Sequence, residues 1–563
     1  MGARGHMTTA SQSVTDAGTR TSAQTLAEAA RNWPDATALL IDGTRLSWSE
    51  MQAEAELWAR GLLAAGVTPG AHVGIMMANC ADYVRLFYAC GMIGATALTM
   101  NARFKDDDLG YAIRHSDMDV LFIGGHALPH LDVPAMLRRL YPALDAGSGG
   151  PLALDSAPKL RRIFNLSDPR DHGWPDERGF LGGADAIAPQ EVASVSRGVS
   201  PDAQALMMYS SGTTAHPKAC MLTHRTLGMI GAAFAERFGL APGDSVMNPL
   251  PFFHMSSMLP MSACRASGAA QIATAHFEPG EALRLMEEEH VTFAYLSFPT
   301  LVNKVLNHPD FATRDLSALR FLHSVGPAET MEKYQRAFPQ AQYVNAYGLT
   351  EATGVPCYTD PADPRDEAVH VSGRPFDGIH AKAVDPETGA DMGPGQRGEI
   401  WLSGWALFAG YYKDEAATEK AMQDGWLRTG DMGHVRADGC IVYDGRLKDM
   451  LKIGGENVAA LEIETFLCSH PDIQIAQVIG VPDDHLFEVS AAFVELKPGA
   501  RLTPEEIVDH CIGQIASYKI PRYVRVVSDW PMSTTKIQKF KLPRDFAASE
   551  KIDPRARAAA TAG

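Results

Sequence analysis

Residues 209–224 read YSSGTTAHPKACMLTH and directly follow the apolar run ALMM at 205–208. An apolar run that gives way to small hydroxylated residues marks a strand feeding a loop. Ser210, Ser211, Gly212, Thr213 and Thr214 let backbone N–H and side-chain O–H groups close on phosphate oxygens, while Lys218 supplies positive charge. The order G-x-x-x-x-G-K-[ST] is absent, so this is not the phosphate loop of kinases and GTPases. The competing reading is a Ser/Thr/Gly-rich surface turn.

Outward from this segment the chain alternates helical and strand patterns. Between residues 22 and 124 stand LAEAARNWPDATALLID, WSEMQAEAELWARGLLAAGV, HVGIMMA and YVRLFYACGMIGATALTM, the order expected of an α/β domain with a mostly parallel sheet. A second alternation runs over 203–358 and includes FAYLSF and FLHSV. Residues 145–158, DAGSGGPLALDSAP, read as a surface insertion, and 393–410 have the strand-and-turn character of a β-rich subdomain. Beyond Asp444 short strands and helices suit a separate α+β domain of about 115 residues. The expected fold class is α/β: a large N-terminal domain of α/β sheet subdomains plus a β-rich subdomain, with a small α+β C-terminal domain.

Composition narrows the function. With 46% hydrophobic and 21% charged residues among 563, the chain can bury a large core, which excludes global disorder. Lys and Arg number 50 against 67 Asp and Glu, a net charge of −17 without a basic stripe, so nucleic acid is not an expected partner. The eight cysteines are scattered, without a C-x-x-C pair, and read as free thiols, mostly in the core, in a reducing compartment. No uninterrupted apolar run reaches about 18 residues and no signal pattern opens the chain, so no membrane span and a cytoplasmic location are expected.

Four further segments follow in order: YGLTE (347–351), RTGD (428–431), GRLKDMLKIGGENVAALEIE (445–464) and TKIQKFKL (535–542). Together with 209–224 they resemble the motifs of the adenylate-forming superfamily, in its acyl-CoA synthetase branch, over residues 22–545. The resemblance implies ATP, Mg²⁺ and coenzyme A as cofactors. It also implies a 22–445 AMP-binding domain, a hinge at 446–448 with Lys448 as the pivot, a mobile C-terminal domain at 449–545 and a flexible tail at 546–563. Residues 1–21 are expected to be a disordered N-terminus, with MGARGHM as a tag remnant.

By the same resemblance Tyr347 lies against adenine, and Gly326, Pro327 and Ala328 complete the slot with Ala346 and Gly348. Thr350 touches phosphate, while Glu351, with Thr214, holds Mg²⁺, a hard cation that takes oxygen ligands. Asp431 accepts from the ribose hydroxyls and Arg446 adds a donor. Lys536 is the adenylation lysine, stabilising charge as a carboxylate attacks the α-phosphorus and pyrophosphate leaves. Gly454, Gly455 and Glu456 line a coenzyme A tunnel. Three positions depart from the family pattern: Ala215, Ala219 and Thr535 stand where glycine is usual.

At the substrate end, LPFFHMSSM (250–258) has no carboxylate to pair with an α-ammonium, which disfavours an amino acid. His254, Tyr295, Ser297, Phe298, Val325, Ala346 and Gly348 are expected to line the acyl pocket, with Ala346 and Gly348 leaving room for a bulky group. The expected activity is ATP-dependent formation of an acyl-adenylate from an apolar, bulky, ring-containing or long-chain acid, followed by coenzyme A thioester formation, in fatty-acid or natural-product metabolism. Loading of a carrier-protein phosphopantetheine and a degenerate nucleotide-binding protein stand as alternatives. A homodimer is among the assemblies left open.

Overall fold

The computed structural model describes residues 13–124, 132–146, 152–166, 173–210, 217–326, 328–453, 456–483, 486–532 and 537–554. The chain divides into two compact units, Met1–His380 with Leu402–Leu427 and Ala381–Trp401 with Arg428–Gly563.

The first unit holds two seven-stranded sheets. One runs Gly410–Tyr411, Lys218–Thr223, Gln204–Ser210, Thr96–Thr99, His72–Met77, Val120–Gly124 and Arg162–Asn165 in spatial order. Its last five strands pair in parallel, and every residue of His72–Met77, Thr96–Thr99 and Val120–Gly124 is buried, as helices on both faces require. The other runs Gln342–Val344, Phe321–Ser324, Phe293–Ser297, Ser245–Met247, Ala270–Ala273, Thr37–Ile41 and Thr44–Ser47, parallel up to a closing hairpin. A smaller antiparallel sheet joins Ala346–Leu349, Gly354–Tyr358 and Arg374–Pro375.

Local sequence sets the helix limits. Thr21 with Gln24, and Ser47 with Glu50, form capping boxes that start Ser22–Asn32 and Trp48–Ala64. Gly268, at φ +75°, ends Met255–Ser267; a Cβ there would stand 2.5 Å from the Trp33 ring, so both conformation and packing demand glycine.

The second unit carries a five-stranded sheet ordered Glu456–Ala459, Met450–Ile453, Phe487–Leu496 and Ile473–Asp483, with Tyr523–Val526 paired in parallel to Phe487–Leu496. Leu451, Ile463, Val478, Val494 and Ile507 form its core. Most of the long strand Trp426–Val435 also belongs to this unit, antiparallel to Ile441–Arg446. The division therefore differs from the expected 22–445 and 449–545 spans: residues 381–401 and 428–445 cohere with the smaller unit, where helix Ala460–Cys468 lies beside Ile441–Arg446.

Three expectations of looseness are corrected. Of residues 1–21, 13–21 are ordered: Ser13 caps Val14–Ala17, Ala17 is buried, and Arg225 donates to the Gly18 carbonyl at 2.6 Å. In the surface insertion at 145–158, Leu154 and Ala157 are buried in the core beside Leu160. The tail at 546–563 is packed up to residue 554, with Phe546 4.7 Å from the Tyr523 ring and Arg525 paired to Glu550 at 2.9 Å; residues 555–563 lie outside the described residues.

All eight cysteines are free and six are buried, as expected. Among the described residues no helix is long and apolar enough to cross a membrane.

Candidate active site

The hairpin Gln204–Ser210/Lys218–Thr223 sets Ser210 opposite Lys218 and Met208 opposite Cys220. Facing residues of an antiparallel pair project from one side of the sheet, so Ser210, Lys218 and Cys220 share a face. The Cys220 thiol donates to Ser210 Oγ at 3.7 Å, and Ser210 Oγ donates to the Lys218 carbonyl at 3.4 Å. Ser211, Gly212, Thr213, Thr214 and Ala215, between the strands, lie outside the described residues.

A third strand completes this face. Gly410–Tyr411 pairs antiparallel with Lys218–Thr223, with Tyr411 opposite Cys220. The Lys218 ammonium sits 4.7 Å from the Tyr411 ring centroid, and the Tyr411 hydroxyl donates to Glu351 Oε1 at 2.8 Å. Glu351 stands in the 3₁₀ turn Thr350–Ala352, held where Phe408 N–H donates to its carbonyl at 2.9 Å and Thr353 Oγ1 donates to the Ala406 carbonyl at 2.6 Å. Burial first, and the Glu351 carboxylate second, push the Tyr411 phenol and the Cys220 thiol well above their ordinary ranges, so both stay protonated at neutral pH. Tyr411 is the site residue that motif reading missed; its only local signal is the aromatic pair in GYY.

Tyr347 lies opposite Cys357 and is buried, while Ala346 is half-buried and Gly348 exposed. At Gly348 a Cβ would stand 2.0 Å from the Gly354 carbonyl oxygen and 2.5 Å from Val355 Cα. Glycine is required there by the close approach of two strands at a bulge. That corrects the expectation that Gly348 is small to leave acyl space. Gly326 is exposed at the end of Phe321–Ser324, Ala328 opens the helix Ala328–Ala337, and Pro327 lies outside the described residues.

The acyl candidates divide. Tyr295 is fully buried, its hydroxyl 2.7 Å from that of Tyr358 and its ring 4.3 Å from His323. It therefore belongs to the sheet core, which corrects its assignment as a pocket wall. Burial holds the His323 imidazole down at about 4, with the Val344 carbonyl opposing, so His323 is neutral there. Ser297, at φ +52°, ends its strand in the left-handed region, and its carbonyl accepts from Val325 N–H at 2.9 Å. This joins Ser297 and Val325, with half-buried Phe298 adjoining. His254 precedes the helix Met255–Ser267, its ring 4.7 Å from Phe253. The start of that helix reaches the strand after Glu351, since a Cβ at Gly354 would stand 2.9 Å from Met255 Cβ.

In the second unit Asp431 faces Arg446 across the strand pair, with Nε 2.9 Å from Oδ1. Asp431 is 2% exposed, whereas the Arg446 side chain is 40% exposed. Lys448 follows in the 3₁₀ turn Leu447–Asp449; burial lowers its ammonium pKa, with Asp449 opposing. Glu464 is buried and accepts from Val478 N–H at 2.7 Å; burial raises its pKa against the pull of Lys539, 2.5 Å away. Met532 pairs with Ile537, and Gln538 N–H donates to the Pro531 carbonyl at 2.7 Å. Thr535 and Lys536, and likewise Gly454 and Gly455, lie outside the described residues; Ile453 faces Glu456 in the strand pair on either side of the glycines.

A family model described as AMP-binding enzyme matches residues 26–412, and one described as AMP-binding enzyme C-terminal domain matches 462–537. The chain belongs to the AMP-binding enzyme family. An acyl-CoA synthetase assignment is carried by YngI of Bacillus subtilis (strain 168), which is 34% identical over 528 residues, 92% of this chain and 95% of that protein. The mitochondrial medium-chain acyl-CoA ligase ACSF2 of Danio rerio is 30% identical over 535 residues, 92% of this chain and 87% of that protein. The solved structure of the anthranilate CoA ligase AuaEII in complex with anthranoyl-AMP is 25% identical, with TM-score 0.79 over 93% of this chain and 96% of that one. This AMP-binding enzyme is thus an adenylate-forming protein of the acyl-CoA synthetase branch, an AMP-forming carboxylate:CoA ligase that uses ATP. The first family match contains Lys218, Glu351 and Tyr411 and the second contains Lys536, whereas Asp431 and Arg446 fall between them.

Proposed function

We propose that this AMP-binding enzyme activates an acid that is apolar outside its carboxylate, bulky and ring-containing or long-chain, and passes the acyl group to free coenzyme A. The observation that carries the reading is the shared face of Ser210, Lys218 and Tyr411, with Glu351 held to it at 2.8 Å through the Tyr411 hydroxyl. Cation, hydroxyl and carboxylate on one sheet edge suit a metal-bound triphosphate. The lack of any acidic residue in 250–258 supports a substrate without an ammonium group.

In this reading Lys218 meets phosphate oxygens and Tyr347 borders adenine. Asp431, acting with Arg446, accepts from the ribose hydroxyls. The acid's carboxylate oxygen attacks the α-phosphorus in line, the bond to the bridging oxygen breaks, and pyrophosphate departs. Lys536 stabilises the charge that gathers on the reacting oxygens. Glu351 and Thr214 would hold Mg²⁺, which neutralises triphosphate charge; one carboxylate suits an ion that draws its other ligands from phosphate and water. Among the described residues no cluster of three metal-ligating side chains competes for it. Rotation at Lys448 then exchanges Lys536 for the 454–457 segment, and the thiol of coenzyme A attacks the acyl carbon as AMP leaves.

A panel of aliphatic, aromatic and amino acids assayed with free coenzyme A and, in parallel, with a holo carrier protein tests the substrate and acceptor assignments. Aromatic or medium-to-long aliphatic acids should give acyl-CoA with coenzyme A consumed mole for mole. Loading of the carrier with coenzyme A left untouched would replace the acceptor, and a preference for amino acids would overturn the substrate class.

A further inference from the structure

We propose that Tyr411 is a positioning residue for adenylation, fixing the Glu351 carboxylate for the triphosphate-bound metal while its ring steadies the Lys218 ammonium. The inference rests on the reading of Glu351 as a magnesium ligand and adds the group that aims it.

Tyr411 engages two opposite charges with two different parts of one side chain. Its hydroxyl donates to Glu351 Oε1 at 2.8 Å, which orients the carboxylate without cancelling its charge. Its ring face receives Lys218 Nζ at 4.7 Å, an electrostatic contact that leaves the ammonium's donors available to phosphate. Among the described residues no ion pair joins Lys218 to Glu351; each meets a different part of the same tyrosine, the ammonium the ring and the carboxylate the hydroxyl.

The tyrosine is itself rigidly placed. Its backbone pairs with Cys220, its N–H donates to Thr418 Oγ1 at 2.9 Å, and Thr418 Oγ1 donates to the Asp414 carbonyl at 2.9 Å. The following N–H, of Tyr412, donates to the Ala219 carbonyl at 2.9 Å and continues the strand pairing. The edge strand thus carries the Glu351 partner on the same support as the phosphate-loop hairpin. A metal-binding carboxylate aimed by a half-buried tyrosine hydroxyl is the arrangement in which an outer partner tunes metal affinity.

Tyr411→Phe keeps the ring, its packing and its contact with Lys218, and deletes only the hydroxyl. Binding of Mn²⁺ to the complex of full-length protein with a non-hydrolysable ATP analogue, followed by electron paramagnetic resonance, reads the metal directly. The expected result is a roughly tenfold weaker Mn²⁺ affinity, the scale of one hydrogen bond to a charged group, with metal-free nucleotide affinity within about twofold of the parent. The Mg²⁺ concentration that half-saturates pyrophosphate release should rise by the same factor, while kcat at saturating Mg²⁺ stays within about threefold. Glu351→Gln, measured alongside, separates the two claims. If Glu351→Gln weakens Mn²⁺ binding and Tyr411→Phe does not, the positioning role is overturned and the metal reading stands. If neither variant changes Mn²⁺ affinity, the metal reading fails and the positioning role fails with it.

Discussion

Lys536→Ala is expected to lower the rate of acyl-adenylate formation by about 10²–10³-fold while thioester formation from a supplied acyl-adenylate stays within about twofold. The split follows from when the charge develops. As the carboxylate attacks phosphorus, negative charge spreads over the reacting oxygens, and a cation aimed there is worth more in the transition state than in the ground state. In the second half-reaction the attacking group is a thiol and the centre is carbon, so the same cation has no comparable task. The chain on either side of Lys536 is anchored: Met532 pairs with Ile537, and Lys539 is bound to buried Glu464 at 2.5 Å. Single-turnover rates for each half-reaction decide the matter. Equal losses in both would remove Lys536 from the adenylation role.

Asp431→Ala is expected to weaken ATP binding by about 1–3 kcal/mol, roughly 5- to 150-fold in Kd. The buried carboxylate offers two acceptor oxygens, one of them 2.9 Å from Arg446 Nε. Its loss removes the partner that orients the guanidinium and, in the proposed reading, the ribose acceptors. Isothermal titration with ATP, set beside the binding of inorganic pyrophosphate, localises the effect. Pyrophosphate affinity should hold while ATP affinity drops, and an unchanged ATP affinity would remove Asp431 from the nucleotide site.

Much of this was legible in the chain because motif order and hydrophobic alternation are local signals. The ALMM run into the serine–threonine segment is a strand, and YGLTE does place Glu351 on a tight turn. What escaped was decided by contacts distant in sequence. Tyr411 acquires its role only because Gly410–Tyr411 adds to the edge of a hairpin some 190 residues earlier and meets Glu351 60 residues away. Gly348 looked like room for substrate, yet its smallness is taken up by the Gly354 backbone, a register detail no composition reveals. Tyr295 sits in FAYLS (293–297), a strand buried throughout, and such a strand carries no alternation to tell a cavity-facing side chain from a core-facing one. Ser13, Ala17 and Phe546 escaped for a related reason: short apolar stretches near a terminus look loose until the surface that covers them is known.

The measurement that bears most directly on the account is acid-dependent exchange of labelled pyrophosphate into ATP by the full-length protein, with coenzyme A left out. Exchange that needs both a carboxylic acid and Mg²⁺, and that coenzyme A drains into acyl-CoA when added, is the predicted result. ATP binding without exchange across a broad acid panel would contradict it and leave a nucleotide-binding protein in place of a ligase.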